Sequence, residues 1–334
     1  RSPGPVKPEW SNYGGPAIEQ WGTKFPAHKP MFYTGVIGHP LEYSATLIPN
    51  RFGAYDRDHR FEDPDQRTRI LILGDCQLEG IQSELYQRVG PRLESMLRRR
   101  HGKDVEVFTL AHSNAHPAAV WSMYEKLGRK FRPDLVLIDV NAPSVVQMEP
   151  RLLKNLTGWD PEHSAYGSMV LTADDKLKYI PGDPNYPAFA GKATYEPLQG
   201  VPANWVMHLK EEQFCPEAKE LARIFKAVTA KYVADARDYG GRVAIYTGAR
   251  VATYPKPQTF EGKLASQEQF VENMKRWAAE AGAEHVDISK AIQSKHPQFD
   301  KIHFWKMDGH PTETGHHWMA EGLAEQLIAA GLVR

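Results

Sequence analysis

From Thr68 onward the chain alternates short apolar runs with longer amphipathic stretches, and this alternation restricts the fold more than any other feature. Runs such as "TRILILG" and "DLVLIDV" read as buried strands, and strands separated by helical stretches build a parallel sheet with helices packed on it. The spacing predicts strands over 68–74, 105–111, 133–140, 242–247 and 283–288, with helices over 79–100, 117–130, 216–239, 266–281 and 312–330. In the helical stretch after Cys215, Leu221, Phe225, Val228 and Tyr232 recur at helical spacing and give one buried face. The expected fold is an α/β, three-layer αβα sandwich on a five-stranded parallel sheet.

Two regions fall outside that rhythm. Residues 1–66, rich in Pro, Gly and aromatics, show no sustained periodicity and read as an irregular extension ahead of an α/β domain over 67–334. Residues 143–215 form one long interruption, in which "SMVLTADDKLKYI" reads as a β-hairpin ahead of a Pro-rich loop. Leaving the carboxyl end of the third strand, this insertion is expected to overhang the crevice where open α/β sheets bind ligands. It would act as a cap, or serve as a structural lobe; its Tyr166, Tyr179, Tyr186, Phe189 and Tyr195 could stack on sugars.

Bulk properties exclude several classes. Across 334 residues the 41 Lys and Arg equal the 41 Asp and Glu, so there is no overall positive field for phosphates and nucleic acid is not an expected partner. No window approaches the roughly 18 consecutive apolar residues of a membrane span. The sequence starts at Arg1 without Met, which leaves open a removed signal peptide or anchor. Cys76 and Cys215 are too few for a disulfide framework, although a single pair between them stays open.

Chemistry concentrates in two stretches. In "GDCQLEG", Gly74 allows a tight turn, Cys76 lands where strand meets helix, and Gly80 permits close packing of the new helix. A side chain there faces the crevice, and its own N–H belongs to a helix start that favours negative charge, which suits a nucleophile and an oxyanion together. The alternative is a small, inert turn residue. Near the C-terminus, "FWKMDGHPTETGHHWMAEGL" places Asp308 and His310 in a polar loop before Thr312, a helix cap. A histidine so placed can reach back over the sheet, and an acid two residues earlier can fix its tautomer. His316 and His317 read as packing and surface residues, and with His303 and His310 they match no common zinc spacing, so no metal is expected.

Together these stretches resemble the SGNH, or GDSL-type, hydrolase superfamily. Residues 74–80 are similar to its Gly-Asp-Ser-x-x-x-Gly block, with Cys76 in the serine position, and "DGHPTETGH" is similar to its C-terminal acid and histidine block. "FRPDLVLIDV" resembles its third strand, and the lead-in "NRFGAYDRDHRFEDPDQRTRILILGD" resembles exported bacterial members. The resemblance implies a flavodoxin-like sheet and acyl-ester hydrolysis or acyl transfer. Cys76 would be nucleophile, His310 general base and then acid, and Asp308 the orienting acid, with no cofactor. It also implies an O-acylated carbohydrate or envelope glycan as substrate and an extracytoplasmic location.

Three departures bear on mechanism. Where the family places an oxyanion glycine after the second strand, "TLAHSNAHP" offers Asn114. Where it places an oxyanion asparagine after the third strand, "DVNAPSVV" has Pro143, leaving Asn141 two residues early as a displaced donor or a structural residue. Met307 stands at the commoner acid position, and the two-residue spacing of Asp308 resembles alginate-type O-acetyltransferases. The oxyanion set implied is Cys76, Asn114 and Asn141. A natural Cys–His enzyme, a serine replaced by cysteine, and a degenerate member that binds carbohydrate without turnover all stay open.

Overall fold

The computed structural model describes residues 17–18, 22–23, 31–35, 43–63, 65–112, 115–146, 148, 168–174, 176–180, 197–198, 201–248, 257–297 and 309–333. Five parallel strands form the sheet: β1 (Thr68–Gly74), β2 (Val105–Ala111), β3 (Leu135–Val140), β4 (Arg242–Thr247) and β5 (Glu284–Asp287). Their spatial order is β2-β1-β3-β4-β5, the flavodoxin-like order. The helices are α1 (Cys76–Glu79), α2 (Val89–His101), α3 (Pro117–Lys126), α4 (Ala142–Val146), α5 (Pro216–Arg237), α6 (Gln267–Glu280), α7 (Ser289–Lys295) and α8 (Glu313–Ala329).

Alternate residues of each strand feed opposite layers. Leu71, Leu73, Val136, Ile138, Val243 and Ile245 pack with Trp121 of α3, Phe225 of α5 and Trp277 of α6. Ile70, Ile72, Leu135, Leu137, Ala244 and Val286 pack with Leu93 of α2, Ile292 of α7 and Leu323 of α8. This is the expected αβα sandwich. Each fully buried side chain of this size contributes about 1.5–3 kcal/mol through burial.

The predicted helix over 79–100 is broken. Gly80 adopts φ 58° as the C-cap of α1, and its N–H closes on the Cys76 carbonyl. A 3₁₀ turn at Leu85–Gln87 follows, and the helix restarts at Val89 with Pro91 in its first turn, where proline is tolerated.

The amino end of β1 is anchored by charge. Arg69 donates to the carbonyls of Arg60 (2.7 Å), Phe61 (2.7 Å), Glu62 (3.1 Å) and Phe131 (2.8 Å) and to Glu106 (3.1 Å), while its backbone N–H donates to Asp134 (2.7 Å). His59 Nδ1 sits 2.8 Å from Glu106 Oε1, and its Nε2 lies 3.5 Å from Asp56 Oδ2. Burial alone would raise Glu106, but the hydrogen bond and charge of His59, with Arg69 and Arg67, outweigh it and bring the carboxyl down to about 2. Burial alone would lower His59, but its bonds to Asp56 and Glu106 outweigh that and raise it above its ordinary 6.5.

Helix α2 and the segment ahead of β1 cover an edge of the sheet. On β2 the Val107 N–H donates to Glu94 Oε2 (2.8 Å) and the Thr109 N–H to Asp56 Oδ2 (2.7 Å), while Arg98 donates to the Val105 carbonyl (2.7 Å). Charged side chains thus occupy groups that an open edge would offer to another strand. Within residues 1–66 the structure also contains a hairpin, Met31–Gly35 with Tyr43–Leu47, whose Ala45 and Leu47 pack on Ile81 just beyond α1. In the insertion the expected hairpin forms between Ser168–Leu171 and Leu177–Ile180, with Met169 buried in the α3/α5 layer. Tyr166, Tyr186, Phe189 and Tyr195 lie outside the described residues.

Candidate active site

Strand β1 ends at Gly74 in the middle of the sheet, and Asp75 turns the chain into α1. A Cβ on Gly74 would lie 2.4 Å from Leu78 Cδ1 and 3.0 Å from Asp139 Cβ, so glycine lets the turn close onto β3. Asp75 is the N-cap: its Oδ1 accepts from the Gln77 N–H at 2.9 Å. Cys76 opens the helix half-buried, as a free thiol, with Gln77 Nε2 4.0 Å from its Sγ. The chain runs from β1 to β2 on one side and later returns to β3 on the other, so the carboxyl ends of β1 and β3 flank the switch point of the sheet.

Across that switch point, Asn141 follows β3. It is buried, and its Nδ2 donates to Asp75 Oδ2 at 3.0 Å. Its Oδ1 accepts from the Ser144 N–H at 2.9 Å, and its own N–H donates to Ser144 Oγ at 3.1 Å, the reciprocal pattern of a capping box at the start of α4. Beside it Asp139 is buried under Gly74, with Gly248 packed against its carboxylate. Burial first, and then the Asp139 and Asp75 carboxylates, hold the Tyr246 phenol far above its ordinary range.

The N-terminal turn of α8 packs on the far end of α1. Thr312 caps α8, its Oγ1 accepting from the Gly315 N–H at 3.1 Å, as expected. Fully buried His316 then lies against Gly80, where an added Cβ would meet its Nε2 at 2.9 Å. The close packing expected at Gly80 is thus made against α8, through His316. His310 stands half-buried two residues before that cap. Asp308, Asn114 and His303 lie outside the described residues. His317 pairs with Arg92 at 3.0 Å, in keeping with a surface role.

Sequence reasoning did not single out the polar neighbours of this turn. Buried His112 donates its N–H to the Gly74 carbonyl at 3.2 Å, tying the start of the β2 loop to the Cys76 turn. His116 caps α3, its Nδ1 accepting from the Ala119 N–H at 3.2 Å, and burial pushes it down to about 4, so the ring is neutral near pH 7. Arg88 donates to the Ser83 carbonyl (3.0 Å) and the Tyr55 carbonyl (2.7 Å), fixing the loop behind α1. The available signal was Asp75 itself, an acid one residue ahead of a helix start. Among the described residues no group of three or more His, Cys, Asp or Glu side chains is arranged to hold a metal ion, and no helix is long and apolar enough to cross a membrane.

No protein-family profile matches the chain, and no curated protein matches it. Solved structures similar to it include TesA, 13% identical with a TM-score of 0.43, over 78% of this chain and 97% of that one. The acetyl xylan esterase AlAXEase is 11% identical with a TM-score of 0.44, over 77% of this chain and 98% of its own. The psychrotrophic esterase EstA from Pseudoalteromonas sp. is 12% identical with a TM-score of 0.44, over 79% and 98%.

Proposed function

We propose that the protein is an acyl-ester hydrolase or O-acyltransferase that works through a thioester on Cys76. The observation that supports this most is the half-buried thiol at the start of α1, at the switch point of the sheet, with the α8 turn beyond His310 packed against the same short helix. The Cys76 Sγ attacks the ester carbonyl carbon while His310 takes the thiol proton. The C–O bond breaks, and the alkoxide leaves with that proton. Water, or the hydroxyl of an acceptor, then attacks the thioester carbonyl and gives its proton to His310; the C–S bond breaks, the acid or the new ester is released, and that proton returns to the thiolate. Asp308 orients His310, and the N–H groups of Cys76 and Asn114 stabilise the oxyanion. The resemblance of the lead-in to exported members supports an O-acylated envelope glycan as substrate and an extracytoplasmic setting.

Intact-mass spectrometry after brief exposure to p-nitrophenyl acetate tests the reading. A single acetyl adduct that forms on the native protein, decays with product release, and is lost in both Cys76→Ala and His310→Ala is the expected result. Equal background in all three proteins, repeated with a longer acyl donor, overturns it in favour of a binding protein.

A further inference from the structure

Two short helices leave the sheet at its switch point, α1 from β1 and α4 from β3, and each has its own N-terminal cap. The side chains of the caps are bonded to each other: Asp75 holds the Gln77 N–H with one oxygen and receives Asn141 Nδ2 on the other, while Asn141 holds the Ser144 N–H through Oδ1. Both side chains are buried. A buried carboxylate has a strong demand for donors, and Asn141 meets it from across the sheet.

We infer that Asn141 is a positioning residue that locks the two helix starts together through Asp75, and so sets where the Cys76 thiol and N–H point. In this role it replaces the oxyanion donation that its place in the sequence suggests. The amide has two N–H groups; one is engaged with Asp75, and the carbonyl oxygen is engaged with Ser144, so the plane of the amide is fixed by the lock. Because α4 begins the insertion, the same lock ties the start of the insertion to the nucleophile turn. The inference deepens the acyl-transfer reading and rests on it only for turnover, since thiol reactivity is measured without any ester.

The experiment uses iodoacetamide on the full chain at neutral pH, with peptide mapping to separate Cys76 from Cys215, beside p-nitrophenyl acetate turnover. Asn141→Asp puts a second carboxylate against Asp75, and it is expected to change the rate of Cys76 alkylation and to lower turnover, each by roughly tenfold or more. Combining Asp75→Asn with Asn141→Asp rebuilds the bond with donor and acceptor exchanged. The new amide at position 75 can still accept from Gln77, and the new carboxylate at 141 can still accept from Ser144. The pair is expected to return both rates to within roughly threefold of the native protein.

Restored alkylation with turnover still lost would show Asn141 acting on the reacting oxygen and would overturn the inference, as would an unchanged alkylation rate in the single variant. Should Asn141→Asp fail to fold, Asn141→Ala removes the donor without adding charge, and an unchanged Cys76 alkylation rate there is equally fatal. If the native protein shows no turnover, the acyl-transfer reading fails while the alkylation rates still decide the lock.

Discussion

Strand β1 is flanked by polar residues, and its two ends are built on opposite plans. At the amino end the Arg69 guanidinium is enclosed by four backbone carbonyls and the Glu106 carboxylate, with His59 and Asp56 behind. At the carboxyl end, among the described residues, the buried Asp75 carboxylate accepts from the Gln77 N–H and from one amide, and the next side chain is a half-buried thiol. Full ionic pairing removes chemical freedom and lends stability. Sparse neutral pairing keeps a turn in place without satisfying the group beside it. One strand thus divides anchoring from reactivity between its ends.

The comparison breaks most visibly at Arg69. Arg69→Leu takes from buried Glu106 one of its counter-charges and leaves four carbonyls without their donor, so chemical denaturation should show a loss of about 3–5 kcal/mol. Cys76 alkylation measured well below the midpoint should stay near the native rate; a large change would mean that the two ends are coupled through β1. Gly74→Ala should do the reverse. Its Cβ would meet Leu78 Cδ1 at 2.4 Å and Asp139 at 3.0 Å, costing about 1–3 kcal/mol by overpacking and moving α1, with a clear change in Cys76 alkylation.

The pH dependence sharpens the contrast further. His59 is raised above its ordinary 6.5, so its share of stability is complete below that pH and is lost as pH rises through its value in the fold. Glu106, lowered to about 2, contributes fully above its ordinary 4.5 and is lost as pH falls toward 2. The pair therefore works best between 4.5 and 6.5. Urea midpoints of the native protein should fall, as pH rises above 6.5, relative to those of His59→Gln. A parallel pair of curves would remove His59 from the anchor. The smallest effect belongs to the partly exposed pair of Arg57 with Glu94, where Arg57→Ala should cost at most about 1 kcal/mol.

The sheet was legible because β1 and β3 are buried almost throughout, and unbroken apolar runs of that length have few other homes. The break after α1 was legible in principle. Pro91 lies mid-way through the predicted helix over 79–100, a position a continuous helix does not tolerate, whereas it is harmless in the first turn of α2. Cys76 could be picked out because a local turn makes it available. The Asp75–Asn141 lock could not, since its partners are 66 residues apart and meet only through β1–β3 pairing. Arg69 was hidden for a related reason: most of its partners are main-chain carbonyls, which carry no side-chain signature.

The Arg69 anchor also orders events in time. During synthesis Arg69 emerges after the carbonyls of residues 60–62, but Glu106, Phe131 and Asp134 follow 37, 62 and 65 residues later. At ~5–20 residues per second the last of these comes about 3–13 seconds later, and until then Ile70–Leu73, among the most apolar stretches of the chain, lacks its β3 neighbour. A permanent charge at the head of that stretch is a gatekeeper against pairing with another nascent chain. The residue that anchors the finished strand is thus the one that protects it until the rest of the sheet arrives.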